Sequence, residues 1–123
     1  WITTTADKSE GFTLSVRVRY NEVVTVTGSP TIAVTNGNQG SGSGRGPHTL
    51  VYASGSGSNE LVFSLAIGAA NAATKVDDIL SVAAQSIAKP GGATMKDTGT
   101  STDSAVAISG AQGTACGTIT VVA

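Results

Sequence analysis

Nine residues of strict alternation, FTLSVRVRY from Phe12 to Tyr20, constrain this chain more than any other feature. Phe12, Leu14, Val16, Val18 and Tyr20 alternate without a miss against Thr13, Ser15, Arg17 and Arg19. A period of two places one set on each face of an extended strand, so the stretch reads as a β-strand with one dry and one wet face. Arg17 and Arg19 fall on the wet side, where a charge is first of all a solvated group.

The rest of the chain repeats this pattern in shorter pieces. Asn21-Glu22 reads as a break, after which VVTVTG forms a short β segment closed by Gly28 and the turn Ser29-Pro30. TIAVTN, Thr31 to Asn36, points Ile32 and Val34 inward. HTLVYASG and ELVFSLAIG flank the run SGSGSN, and Leu61, Phe63 and Leu65 match Leu50 and Tyr52. Two alternating runs across a short Gly-Asn-containing segment predict a β-hairpin. AANAAT has room for one helical turn, and VDDILSVAAQSIA reads as β although its alanines would also suit a helix. KPGG is a turn signal, ATMKD a short segment, and AVAIS and GTITVVA are further strands. The predicted core is Phe12, Leu14, Val16, Val18, Ile32, Val34, Leu61, Phe63 and Leu65. Eight or nine short strands with regular turns predict an all-β fold, an Ig-like β-sandwich of about 7–9 antiparallel strands in a single domain over residues 1–123.

Composition agrees with that class and excludes some partners. With 7 Lys and Arg against 8 Asp and Glu, the chain lacks the clustered positive charge that nucleic acid requires. Charged residues are only 12% of the total, about half the usual share, and Thr, Ser, Gly, Ala and Val dominate. A surface of this kind is neutral and hydrogen-bonding, as on extracellular and particle surfaces. No apolar run approaches the roughly 20 residues of a membrane span, and WITTTADKSEG is not a secretory signal. A start at Trp1 rather than Met fits a processed, trimmed or partial chain. A single cysteine, Cys116, precludes an internal disulfide and reads as a small buried filler among Ala115, Gly117 and Thr118.

The stretches that resemble catalytic motifs have simpler readings. GNQGSGSGRGPH, Gly37 to His48, is dense in glycine, but a phosphate loop needs Lys and then Ser or Thr, and a helix beyond. Here Arg45, Gly46 and Pro47 follow and the next element is a strand; the G-x-G-x-x-G spacing fails as well. Asp97-Thr98-Gly99 is the triplet of aspartic proteases, yet it follows a lysine and lies in a Thr-Ser loop where nothing buries the carboxylate. His48 is the sole histidine, with no triad order and no His-rich metal site around it. Asp7, Glu22, Asp77, Asp78, Asp97 and Asp103 fall near strand ends, where calcium ligands gather, but without EF-hand spacing or a Gly-Gly-x-Gly-x-Asp repeat. The residues therefore predict no catalytic site, no metal site and no cofactor. A carbohydrate-binding reading would rest on Trp1, Tyr20 and Tyr52, two of which keep the phase of core positions.

The order of phrases carries a resemblance. VRVRYNEVVTVTGSPTIAVTNG, LVYASGSGSNELVFSLAIG and KPGGATMKDTGT resemble the Ig-like repeats of large bacterial surface adhesins over about residues 12–103. In those repeats an alternating strand leads to F-S-E-x-V-x-V-T-G-x-P, then Y-x-S-G-S-G-T-x-x-L-x-F, then G-G-T-I-x-D-x-x-G. Tyr20-Asn21-Glu22 stands in the place of Phe-Ser-Glu, and Val26 to Pro30 keeps the turn. Tyr52, Ser54 to Gly57, Leu61 and Phe63 match the second phrase; Gly91, Gly92, Ala93, Thr94 and Asp97 match the third. The module is also similar to small Ig-like structural proteins of marine tailed phages. The expanded Gly37 to Pro47 connection and the ending on a strand favour that version. The resemblance implies a structural or adhesive module without catalytic residues: a phage virion decoration or accessory protein, or alternatively a cell-surface adhesin or filament subunit. Its expected partners are other protein subunits of a virion or surface assembly, within which it is oligomeric, and a host-surface glycan as a second class; nucleic acid and membrane are not expected. Asn38, Gln39, Arg45 and His48 are the candidate partner-contact residues, with Arg45 meeting a carboxylate or carbonyl of a neighbouring subunit.

Overall fold

The computed structural model describes residues 1–37 and 46–123. The alternating run at Phe12 becomes the longest element, β2 (Phe12–Thr27), of 16 residues. Before it lies β1 (Ala6–Asp7); after it come β3 (Thr31–Gly37), β4 (His48–Ser54), β5 (Ser58–Ile67), β6 (Ile79–Ser81) and β7 (Gln85–Ser86). A 3-10 turn at Pro90–Gly92 leads to β8 (Thr94–Asp97), β9 (Ala107–Ile108), a short helix α1 (Gly110–Cys116) and β10 (Thr118–Val122). The fold is all-β, as expected. Eight strands form one curled sheet in the order β1-β10-β6-β3-β4-β5-β2-β8, and β7 and β9 form a second sheet of two. Ten strands among the described residues exceed the expected seven to nine, and the β1–β10 pair is parallel rather than antiparallel.

Four consecutive strands, β2 to β5, follow a Greek-key path: β3, β4 and β5 are neighbours in turn, and β2 returns beside β5. The hairpin predicted around SGSGSN is β4–β5, with Tyr52 opposite Phe63. Tyr52 stands edge-on to Phe63 with ring centroids 6.1 Å apart. The Asn21-Glu22 break is corrected: β2 runs through it, with a register shift between Arg19 and Val24 against β5. Beyond the shift the strand takes a second neighbour, pairing Val24 to Thr27 with β8. A bulge lets two polar residues pass without ending the strand.

One hydrophobic cluster runs from Ala6 to Val121. Leu14, Val16, Ile32, Val34, Leu61 and Phe63 are buried in it as predicted, while Phe12, Val18 and Leu65 are only partly covered at its margin. Three local expectations need correction. VDDILSVAAQSIA divides into β6 and β7, which belong to different sheets. AANAAT forms two successive turns, closed by bonds from Asn71 N–H to Gly68 and from Thr74 N–H to Asn71, instead of a helical turn. AVAIS supplies only the two residues of β9, and α1 follows where no helix was expected. Gly110 and Gly113 within the helical stretch argue against helix by propensity. The element is fixed by a capping box: the Ser109 hydroxyl accepts from Gln112 N–H, and the Gln112 side chain accepts from Ser109 N–H. Gly113 then lets the helix press on the sheet, since a Cβ there would stand 2.1 Å from the Val82 carbonyl oxygen. No helix among the described residues is long and apolar enough to cross a membrane.

Candidate functional site

Of the four candidate contact residues, Asn38, Gln39 and Arg45 lie outside the described residues, as does most of the glycine-rich connection. His48 is placed, and it lies inside. The alternation of β4 turns His48 inward with Leu50, and only 4% of its surface is exposed. Its imidazole therefore faces the interior of the fold.

Around it the sheet end holds a polar cluster. His48 Nε2 shares a 2.6 Å hydrogen bond with the Thr74 hydroxyl, and Thr74 is fully buried. Asp78, also fully buried, accepts from the Asn36 side-chain amide at 2.8 Å and from Lys75 N–H at 2.9 Å. The Asn36 amide also donates to the Ala73 carbonyl. Asn36 and His48 occupy inward positions at the adjoining ends of β3 and β4, and together with Thr74 and Asp78 they fasten the turn region 68–78 to the sheet. Burial holds the His48 imidazole below its ordinary pKa of 6.5; the Asp78 carboxylate opposes that shift and the Lys8 ammonium adds to it. A depressed folded pKa means that the unfolded chain takes up the proton first as pH falls, so stability declines from about 6.5 downwards. Melting temperature should therefore drop between pH 8 and pH 5.5, and His48→Gln should flatten that part of the profile. An unchanged slope in the variant would remove the imidazole as the cause.

Carboxylates near the strand ends, where calcium ligands could gather, do separate work. Asp7 accepts from the Ser9 hydroxyl and N–H, and these bonds hold its pKa below the usual carboxylate value. Asp97 is half-exposed, and its pKa is held low by Gly99 N–H and the Thr100 hydroxyl, which makes the protease-like triplet a turn. Among the described residues no three His, Cys, Asp or Glu side chains gather as a metal group. Removing calcium with a chelator should leave the melting temperature unchanged; specific binding would instead show as a calcium-dependent gain in stability of several kcal/mol at saturation.

The three rings considered for sugar stacking are built into the fold. The indole N–H of Trp1 donates to the Gly117 carbonyl, the Tyr20 hydroxyl to the Ala105 carbonyl, and the Tyr52 hydroxyl accepts from Ser56 N–H. Burial, and after it the Glu22 carboxylate, raises the Tyr20 phenol pKa. Cys116, expected to be buried, is half-exposed at the end of α1. It lines a hollow of about 140 Å³ beside β2, which adjoins a second of about 250 Å³; both share Val18, Arg19, Ile108 and Gln112. A further hollow of about 340 Å³ between β6 and α1 is lined by small neutral residues such as Ala83, Gly113 and Thr118. On the outer face Glu60 receives Arg19 at 2.6 Å and Arg17 at 3.5 Å. The wet-face assignment of both arginines holds, but their shared carboxylate on β5 was not foreseen. Only a strand register, which pairs Arg19 with Glu60, brings the three together. Comparison with protein-family models, with curated proteins and with solved structures finds no match to this chain.

Proposed function

We propose that this chain is a non-enzymatic structural module with an Ig-like β-sandwich fold, serving as a decoration or accessory protein on a phage virion. The observation that supports this reading most is the use the chain makes of its polar side chains. His48 and Asp78 tie a turn to the sheet, Asp7 and Asp97 shape loops, and Glu60 bridges two arginines. Lys8 donates to the Gly68 and Asn71 carbonyls, joining the start of the chain to the same turn region. Each of these groups holds one piece of backbone against another, which is the work of a scaffold; a catalytic site converges its polar groups on a shared cavity. Hydroxyl pairs Thr25–Thr98 and Thr27–Thr94 add a neutral hydrogen-bonding strip to the exposed surface, suited to close lateral packing. The Greek-key path of β2 to β5 supports the sandwich part of the reading.

An antibody raised against the folded domain tests this reading on fractionated lysates. Labelling of purified virions is the expected result. Labelling of cell surfaces would favour the adhesin reading, and protein found only free, with neither particle nor surface labelled, would overturn both.

A further inference from the structure

The edge of β2 that faces away from β5 is covered at both ends and open in the middle. At one end Ser15 gives its carbonyl to the N–H groups of Ile2 and Thr3, and its N–H to the Thr3 hydroxyl. At the other end the Val23 carbonyl accepts from Thr98 N–H, and β8 continues from there. In an antiparallel ladder, alternate residues turn their backbone groups to opposite sides. Ser15 and Val23 therefore fix the phase: odd-numbered residues of β2 face this edge, and Arg17, Arg19 and Asn21 present their N–H and C=O groups to it. Among the described residues no strand pairs with β2 there. Across the groove stands β9, whose other side is taken by β7. Ile87 N–H bonds the Val106 carbonyl, so the backbone of Ala105 and Ala107 turns toward β2. Tyr20 needs its whole side chain to reach the Ala105 carbonyl, so the two backbones stand further apart than the ~4.8 Å of paired strands.

We propose that this seam is a docking edge for an extended segment of a partner protein, added as a strand beside β2. The inference rests on the reading of the chain as an assembly module and names the surface through which it assembles. Backbone pairing with Arg17, Arg19 and Asn21 supplies the attachment, and alternate side chains of the incoming strand enter the two hollows against Val16, Val18 and Ile108. The same edge already bonds the backbone of Ile2 and Thr3, so docking there continues a contact present in the fold. Charge selects the occupant. The outer face beside the seam carries two guanidinium groups and the single carboxylate of Glu60, which lies on the opposite side of β2. A strand in the seam sets its outward side chains next to Arg17 and Arg19, where acidic residues pair and basic ones repel. The fitting segment is thus apolar at inward positions and acidic at outward ones.

A short capped peptide alternating valine and aspartate, and its counterpart with lysine for aspartate, serve as probes. In the free protein the amides of Arg17, Arg19 and Asn21 should exchange hydrogen rapidly while those of Leu14, Val16 and Val18 are protected. Saturating acidic peptide should slow the three seam amides about tenfold or more, and the lysine peptide should bind about tenfold more weakly from two cross-strand charge pairs. Arg17→Gln with Arg19→Gln, both exposed changes, should make the two peptides equal. Seam amides already slow in the free protein, amides unmoved by the peptide, or binding indifferent to its charge would each overturn the proposal. Those outcomes leave the antibody result on virions untouched, so the docking edge and the assembly reading fail separately.

Discussion

Phe63→Ala should lower stability by roughly 3–5 kcal/mol, the range for deleting a core aromatic whose cavity cannot collapse. Phe63 is fully buried on β5, with β4 on one side and β2 on the other. It lies opposite both Tyr52 and Val16 in the two ladders. Its loss removes apolar burial from three strands at once, together with the edge-on contact to Tyr52, itself worth about 0.5–1.5 kcal/mol. The corresponding fall in melting temperature is roughly 10–20 °C. Phe63→Leu keeps most of the volume and should recover more than half of the loss. Calorimetry of the two variants checks this; an alanine variant that melts with the parent would contradict the strand register.

The second large effect comes from backbone geometry. Gly55 has φ of +112° at the β4–β5 turn, a region closed to side chains, and a Cβ there would lie 2.1 Å from the Glu60 carbonyl oxygen. Gly55→Ala should cost at least about 3 kcal/mol, because left-handed strain adds to a collision with backbone that cannot step aside. Gly57, two residues on, also has positive φ but open space around it. Gly57→Ala carries only the strain, and denaturant titration should rank it well above Gly55→Ala in stability. Equal losses would mean that the collision is relieved by movement of the turn.

Parts of this architecture were legible because burial imposes a period. The run from Phe12 to Tyr20 reads directly as a strand since its even positions face one core, and the same phase places Leu61 and Phe63. What escaped was whatever a single strand cannot record. Asn21-Glu22 looks like a break because polarity marks a turn, whereas here the strand changes neighbours through a bulge. Helix α1 escaped because its glycines outweigh its capping box by propensity, while packing against Val82 decides the outcome. The buried polar cluster did leave a signal: Asn36 keeps the inward phase of Ile32 and Val34, and His48 that of Leu50. Two polar residues at inward positions of consecutive strands mark a hydrogen-bonded interior cluster, and naming only the apolar members of those strands as core concealed it. The open seam of β2 has no sequence signature, because a missing neighbour is a property of the sheet.

That seam, within a module whose polar groups hold its own fold together, is where the structural reading can be tested most directly. Amide hydrogen exchange can be measured on the isolated chain and on the same chain within the proposed assembly, purified virions. Arg17, Arg19 and Asn21 should exchange rapidly in isolation and become protected in the assembly, while Leu14, Val16 and Val18 should be protected in both. Seam amides that exchange equally fast in both states would contradict it.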